Sequence, residues 1–453
     1  MVTHDLVLDL GLRREAPVTR PRAVGTFVVP LLVAALGGFA VGFAPQPAVL
    51  LGTALVVGTA LLVRLEWAAL AVVASAVFED YLALVDPRAT KVLAAVLLAS
   101  WLVRRSRGPL RGATHPLAGA RSPGRTAVLG AILVLVVVLL AATALHPNGP
   151  AGAAVLLRWA GFVVVLLVLV DAMRGPLAPR TVAGVYVLSC TAAAVCGMVA
   201  YLLGADRRVG GPIGDPNDLG FFLLAAIPLA IALRAGARRR WVHDLAVALM
   251  LAAVLGTLSR GALLGLGVAV LVALLTRQVT WRAVLALGVA GLTTVALALS
   301  LFPQLVEVSL DQKGVVADQN VSERLDLWES AGRMTLEAPV LGHGPGSFAL
   351  EHRDHLGRLP DAVDHDLDVA HNTYLETSAE VGLLGLAAFL GLLGAGYLAA
   401  RSGWRARRDR LAGGVGVALA GTAVAAVFVT EQYFLPLWLL CALGAALARE
   451  ERP

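Results

Sequence analysis

The sequence predicts an all-α polytopic membrane protein with roughly 12–14 transmembrane helices and one large extracytoplasmic loop. Three observations carry that prediction. Hydrophobic residues make up 58% of the 453 residues and charged residues only 15%, against about a quarter charged in soluble proteins. Apolar runs of about twenty residues, enough to cross a bilayer, recur along the whole chain. Arginines gather in the short loops that alternate between those runs.

The candidate spans are 24–44, 47–63, 67–85, 89–103, 126–145, 152–173, 181–204, 218–235, 241–257, 260–276, 283–302, 373–399, 411–430 and 433–448. The stretch through Arg22 is polar and basic, and the apolar run after it lacks a convincing small-residue cleavage site, so it is expected as the first transmembrane helix. Cys190, Cys196 and Cys441 all fall inside apolar segments. There they behave as small hydrophobes and suggest neither a disulfide framework nor a metal cage.

The N-terminal tail holds Arg13, Arg14, Arg20 and Arg22. Alternate loops then hold Arg104, Arg105, Arg107 and Arg111; Arg174 and Arg180; Arg238, Arg239 and Arg240; Arg277 and Arg282; and Arg405, Arg407 and Arg408. Alternating spans place all of them on one face, which the positive-inside rule makes cytoplasmic, with both termini inside. The net charge of +6 is therefore orientation signal and does not indicate a nucleic-acid partner. The expected organisation is a cytoplasmic tail (1–23), an N-terminal transmembrane bundle (24–302), a large extracytoplasmic loop (303–371), C-terminal transmembrane helices (372–448) and a short cytoplasmic tail (449–453).

Three outer connections break the pattern, carrying arginine or length where the orientation rule disfavours them. Anion binding is the simplest cause. GADRRVGGPIGDPND, from Gly204 to Asp218, sets Arg207 and Arg208 before a Gly-Gly-Pro turn and ends in an Asp/Asn helix-start signal. TLSRGA puts Arg260 in a tight connection between two apolar spans, at the membrane surface or slightly inside it, where an ionisable group is a functional hypothesis by default and snorkelling to headgroup phosphates the competing account. Arg158, two turns into its own span, poses the same question.

The long third connection contains QNVSERLDLWESAGRMTLEAPV. Asn320 and Glu323 fit a capping box, and Leu325, Trp328 and Leu336 return at helical spacing, which places Arg324 on an amphipathic helix. In GHGPGSF, Gly342, Gly344 and Gly346 alternate with His343 and Pro345, suiting close backbone approach to a ligand. His371 stands directly before a hydrophobic span, so the positive end of the helix dipole is expected to keep it neutral and able to accept a proton. Glu376 and Glu380 follow on one face of that helix, and Glu380 needs an interior partner. His343, His352, His355 and His365 lie in irregular sequence without HExxH spacing, so no metal set is predicted.

These pieces, GDPND after a basic pair, SRGA, SERLDLW, GHGPGSF and HNTYLETSAEVGLLG, stand in order between about Gly204 and Leu386. Together they resemble the O-antigen ligase and polymerase family of bacterial envelope glycosyltransferases. The resemblance implies a GT-C-like architecture and a metal-independent transferase with no cofactor. Its donor would be glycan on an undecaprenyl pyrophosphate carrier, and its acceptor a sugar hydroxyl. It also implies that Arg260 and Arg324 bind the pyrophosphate and that His371 works near the acceptor as the base. Arg207, Arg208, Asn372, His343 and Gly344 join them as substrate contacts.

With 35 arginines, two lysines and abundant alanine, the chain has the composition of a GC-rich genome, so the acceptor extends to another envelope glycan or a protein. Two rivals stand beside ligation in a bacterial cell membrane: polymerisation of lipid-linked repeats, and transport or flipping of a lipid-linked glycan. A transporter is expected to show broken helices near the midplane.

Overall fold

The computed structural model describes residues 45–106, 122–301, 323–356 and 369–449. The chain divides into two units, 1–59 and 60–453. Of the first, the described part belongs to helix α1 (Pro45–Val63). The candidate span 24–44, the capping residue Asn320 and His365 lie outside the described residues.

The second unit continues with α2 (Leu65–Ser75), α3 (Glu79–Val85), α4 (Ala89–Ser106), α5 (Pro123–Leu145), α6 (Gly149–Ala172), α7 (Pro179–Leu202) and α8 (Pro216–Arg234). Then come α9 (Arg240–Thr257), α10 (Arg260–Leu275) and α11 (Trp281–Leu301). Helix α12 (323–337) is followed by the short α13 (Ser347–Glu351), then α14 (Thr373–Arg407), α15 (Arg410–Ala425) and α16 (Leu435–Leu447). Among the described residues, seven helices are long and apolar enough to cross a membrane, and the chain is a multi-pass, all-α membrane protein.

Helix starts follow local chemistry. Ser122, Asp215, Ser259, Asn372 and Asp409 each accept a main-chain N–H of the first turn of α5, α8, α10, α14 and α15. Helix α8 is apolar and buried on nearly every face, which suits its position among α7, α9 and α15. Helix α14 packs on α5, α15 and α16.

The two-face sorting of loops reappears as contacts. On the basic face Arg104 pairs with Glu66 at 3.3 Å, Arg105 with Asp171 at 3.6 Å, and Arg234 with Asp244. There too Arg180 donates to the Leu233 carbonyl and Arg407 to that of Leu447. The opposite ends of the same helices meet one another and the motif-bearing connections.

The expected span 373–399 is broken. At Gly382 the backbone turns to φ 71°, ψ −177°, and the chain 339–344 fills the break. Leu383 and Leu384 N–H donate to the carbonyls of Pro339 and Val340, while His343 and Gly344 N–H donate to those of Ala379 and Glu380. Every group freed by the kink is thus repaired by the turn, as an apolar environment demands. A Cβ at residue 382 would stand 2.2 Å from the Val340 carbonyl oxygen. Gly382→Ala is therefore expected to destabilise the protein by at least about 2 kcal/mol, read as a lower melting temperature of the detergent-solubilised chain. An unchanged melting temperature would show that the turn yields freely.

Two more expectations need correction. Spans 411–430 and 433–448 end and begin short: α15 stops at Ala425 and α16 starts at Leu435. The intervening 426–434 is irregular and partly buried, and Thr373 anchors it by donating both its N–H and its hydroxyl to the Val429 carbonyl. On α12 the buried stripe is Leu327, Ser330, Ala331 and Met334, whereas Leu325 and Leu336 are exposed.

Candidate functional site

The site is assembled on one face by main-chain carbonyls that receive arginines. Arg208 donates from Nε, at 2.8 Å, and from Nη2 to the carbonyl of Thr257, which sits at the end of α9 just before Ser259 caps α10. Arg260 opens α10 and is exposed. Arg324, in the first turn of α12, donates to the Phe428 carbonyl at 3.1 Å.

The side chain of Phe428 covers Gly261, where a Cβ would come within 2.8 Å of it. One residue of the 426–434 segment therefore brings Arg324 next to Arg260. A hydrogen bond to a charged group is worth about 1.5–3 kcal/mol, so these carbonyls fix the arginines instead of merely meeting them.

Helix α12 is docked onto the residue before His371. Trp328 donates its indole N–H to the Ala370 carbonyl at 3.1 Å and leans on Phe428, ring centroids 6.4 Å apart. His371 takes a left-handed backbone, φ 49°, unusual for a residue with a side chain.

Electrostatics bind the group together. Burial, reinforced by the charge of Arg324 and opposed by Asp215, pushes His371 down to about 4. The sequence argument expected a neutral histidine for a different reason, the helix dipole. Burial also lowers the hold of Arg208 and Arg324 on their protons; Asp215 supports both charges, while Arg324 opposes that of Arg208 and Arg260 that of Arg324. Among the described residues none of Arg208, Arg260 and Arg324 is in an ion pair. The arrangement is three clustered guanidinium groups beside an uncharged imidazole, suited to a multiply charged anion and a proton donor.

The remaining expected contacts are placed differently. Arg207 is exposed beside Arg208. Asn372 is buried, its side chain occupied in capping α14. Gly344 faces protein: a Cβ there would meet the His146 carbonyl at 2.3 Å, and Asn148 donates to the His343 and Pro345 carbonyls. His343 is bonded to Glu351 at 2.8 Å. The alternating glycines thus serve close packing of this turn on α6 and on the break in α14. Arg158 lies over the Tyr433 ring, 5.8 Å from its centroid.

Glu376 accepts from Ala370 N, Thr430 and Gln432, and Glu380 has the interior partner expected of it, accepting from Gly346 N and Tyr433. Glu431 was not anticipated. It is fully buried, and the Asp218 carboxyl group lies beside it. Burial, then Asp218, pushes it well above the usual carboxylate range, as two adjacent carboxyl groups holding a proton between them require. The run Thr430, Glu431, Gln432 inside an apolar stretch was its available signal.

Residues 245–390 match the family model described as O-antigen ligase. The match takes in Arg260, Arg324, the glycine turn and His371, and leaves Arg207, Arg208 and Asp215 outside. Comparison with curated proteins returns no match.

Proposed function

We propose that this chain, which belongs to the O-antigen ligase family of membrane glycosyltransferases of the ligase and polymerase type, moves glycan from an undecaprenyl pyrophosphate carrier to an acceptor hydroxyl on the extracytoplasmic side of a bacterial cell membrane. The convergence of Arg208, Arg260 and Arg324 with neutral His371 carries this reading. Breaking a sugar–pyrophosphate bond develops negative charge on the leaving oxygen, and guanidinium forks stabilise it where water is scarce. His371 removes the proton of the attacking hydroxyl, which enters opposite the leaving group and inverts the anomeric carbon. The lipid anchor confines the donor to the bilayer plane, so positioning supplies much of the rest. Arg207 or Arg208 supplies a further phosphate contact. The transfer step itself uses no metal ion or cofactor. The basic face is cytoplasmic and holds both termini.

The acceptor separates ligation from polymerisation. Purified protein given lipid-linked repeats alone is expected to leave them unchanged until an acceptor glycan or protein is added, followed on gels of labelled product. Lengthening without an acceptor would mean a polymerase. A broken helix is a transporter feature, but the break at Gly382 is bridged by main-chain hydrogen bonds to residues 339–344. Uptake of labelled lipid-linked sugar into vesicles, undiminished in His371→Ala, would overturn the transferase reading.

A further inference from the structure

Beyond the arginine cluster, three segments bring metal-binding side chains together: Glu337 at the end of α12, His343 in the glycine turn and His355 after α13. One donor atom from each lies within 4.8 Å of the other two. Glu351 organises both rings. Its carboxylate meets His343 Nδ1 at 2.8 Å, and its main-chain carbonyl meets His355 Nδ1 at 2.9 Å. Hydrogens on both Nδ1 atoms leave the two Nε2 atoms as the free donors, the second-shell arrangement that orients metal-binding histidines.

Each Nε2 nevertheless faces oxygen: His355 Nε2 the Glu337 carboxylate at 3.0 Å, His343 Nε2 the Met334 carbonyl at 3.1 Å. Both nitrogens of each ring thus face oxygen, a pattern met either by an imidazolium or by a ring that donates from Nδ1 and binds a cation through Nε2. A single cation among the three side chains supplies the second for both rings. The Met334 carbonyl already accepts the Ala338 N–H, so releasing His343 from it leaves nothing unpaired.

We propose that Glu337, His343 and His355 bind one Zn2+ ion, with Glu351 as the orienting second shell. Two imidazoles and a carboxylate select a borderline transition ion over Mg2+ or Ca2+. Tetrahedral Zn2+ with bonds of about 2.0–2.2 Å sets neighbouring donors roughly 3.3 Å apart, close to the 3.0 Å between Glu337 and His355. The 59% exposed Glu337 side chain leaves the fourth position to water. The ion braces α12, the glycine turn and the chain after α13. Arg324 lies about 20 Å away along α12, so the site takes no part in the transfer step.

The test uses the purified full-length protein in detergent, stripped with a chelator and titrated with Zn2+ by calorimetry and with Co2+ by absorbance. One ion per chain and the intense visible bands of tetrahedral Co2+ are expected. Glu337→Gln and His355→Gln should each weaken binding at least about tenfold, with Glu351→Gln showing a similar loss. Circular dichroism and size exclusion check the fold of each variant. If His355→Gln does not fold, Glu337→Gln decides alone, because its carboxylate is exposed. The proposal is overturned by the absence of saturable Zn2+ uptake in the wild type, by an octahedral Co2+ spectrum, or by undiminished uptake in folded Glu337→Gln.

Discussion

His371→Ala is expected to lower the rate of glycan transfer by about 10²–10⁴-fold, the usual contribution of a positioned general base, while expression and donor binding stay near wild type. In the proposed site the donor would be gripped by guanidinium groups held on the Thr257 and Phe428 carbonyls, and neither anchor involves the imidazole. Initial rates with saturating lipid-linked donor measure the loss directly; an unchanged rate would remove His371 from the mechanism. The pH dependence follows from the same environment. Because burial and Arg324 depress His371 to about 4, the ring is neutral, and competent as a base, at every pH above that value. It loses that competence only as pH falls through about 4. A histidine-selective NMR titration should place the ring there. A ring still titrating in the ordinary range near 6.5 would mean that the pocket is open to water.

The arginines and His371 were legible in the sequence because each defies a strong rule. Arginine in connections opposite the basic loops and a histidine directly before an apolar span stand out against a background of alanine and leucine. Spans were legible for the same reason: twenty apolar residues admit few other readings. What converges from separate segments was not legible. The anchor for Arg324 is the carbonyl of Phe428, a group every residue carries, and only the fold selects it.

Helix α12 misleads because leucine is a poor guide beside a membrane. Leu325 and Leu336 face outward, while the face against the protein uses Ser330, Ala331 and Met334, side chains that allow close approach. Glu337, His343 and His355 show no motif spacing because a turn and a short helix, not one helical face, bring them together. The glycines of GHGPG suited close backbone approach to a ligand, whereas the groups that approach them are α6, the residues before it and the break in α14.

Arg324→Ala is expected to cost about 10²–10³-fold in transfer, comparable to removing one donor from a preorganised anion site. Arg324→Lys should recover little of it. One arm of the guanidinium is committed to the Phe428 carbonyl, so only a planar fork can keep that bond and still present N–H groups to phosphate. An ammonium group has to choose between them. In the proposed site Arg260 would face the same anion from α10, so that with Arg324 gone the diphosphate could settle toward it. The double variant Arg260→Ala with Arg324→Ala should therefore lose less than the product of the two single losses. Rates for the four proteins of that cycle test the shared anion. Strict multiplication of the two losses, or full activity in Arg324→Lys, would mean that the two arginines grip different groups and that the pyrophosphate lies elsewhere.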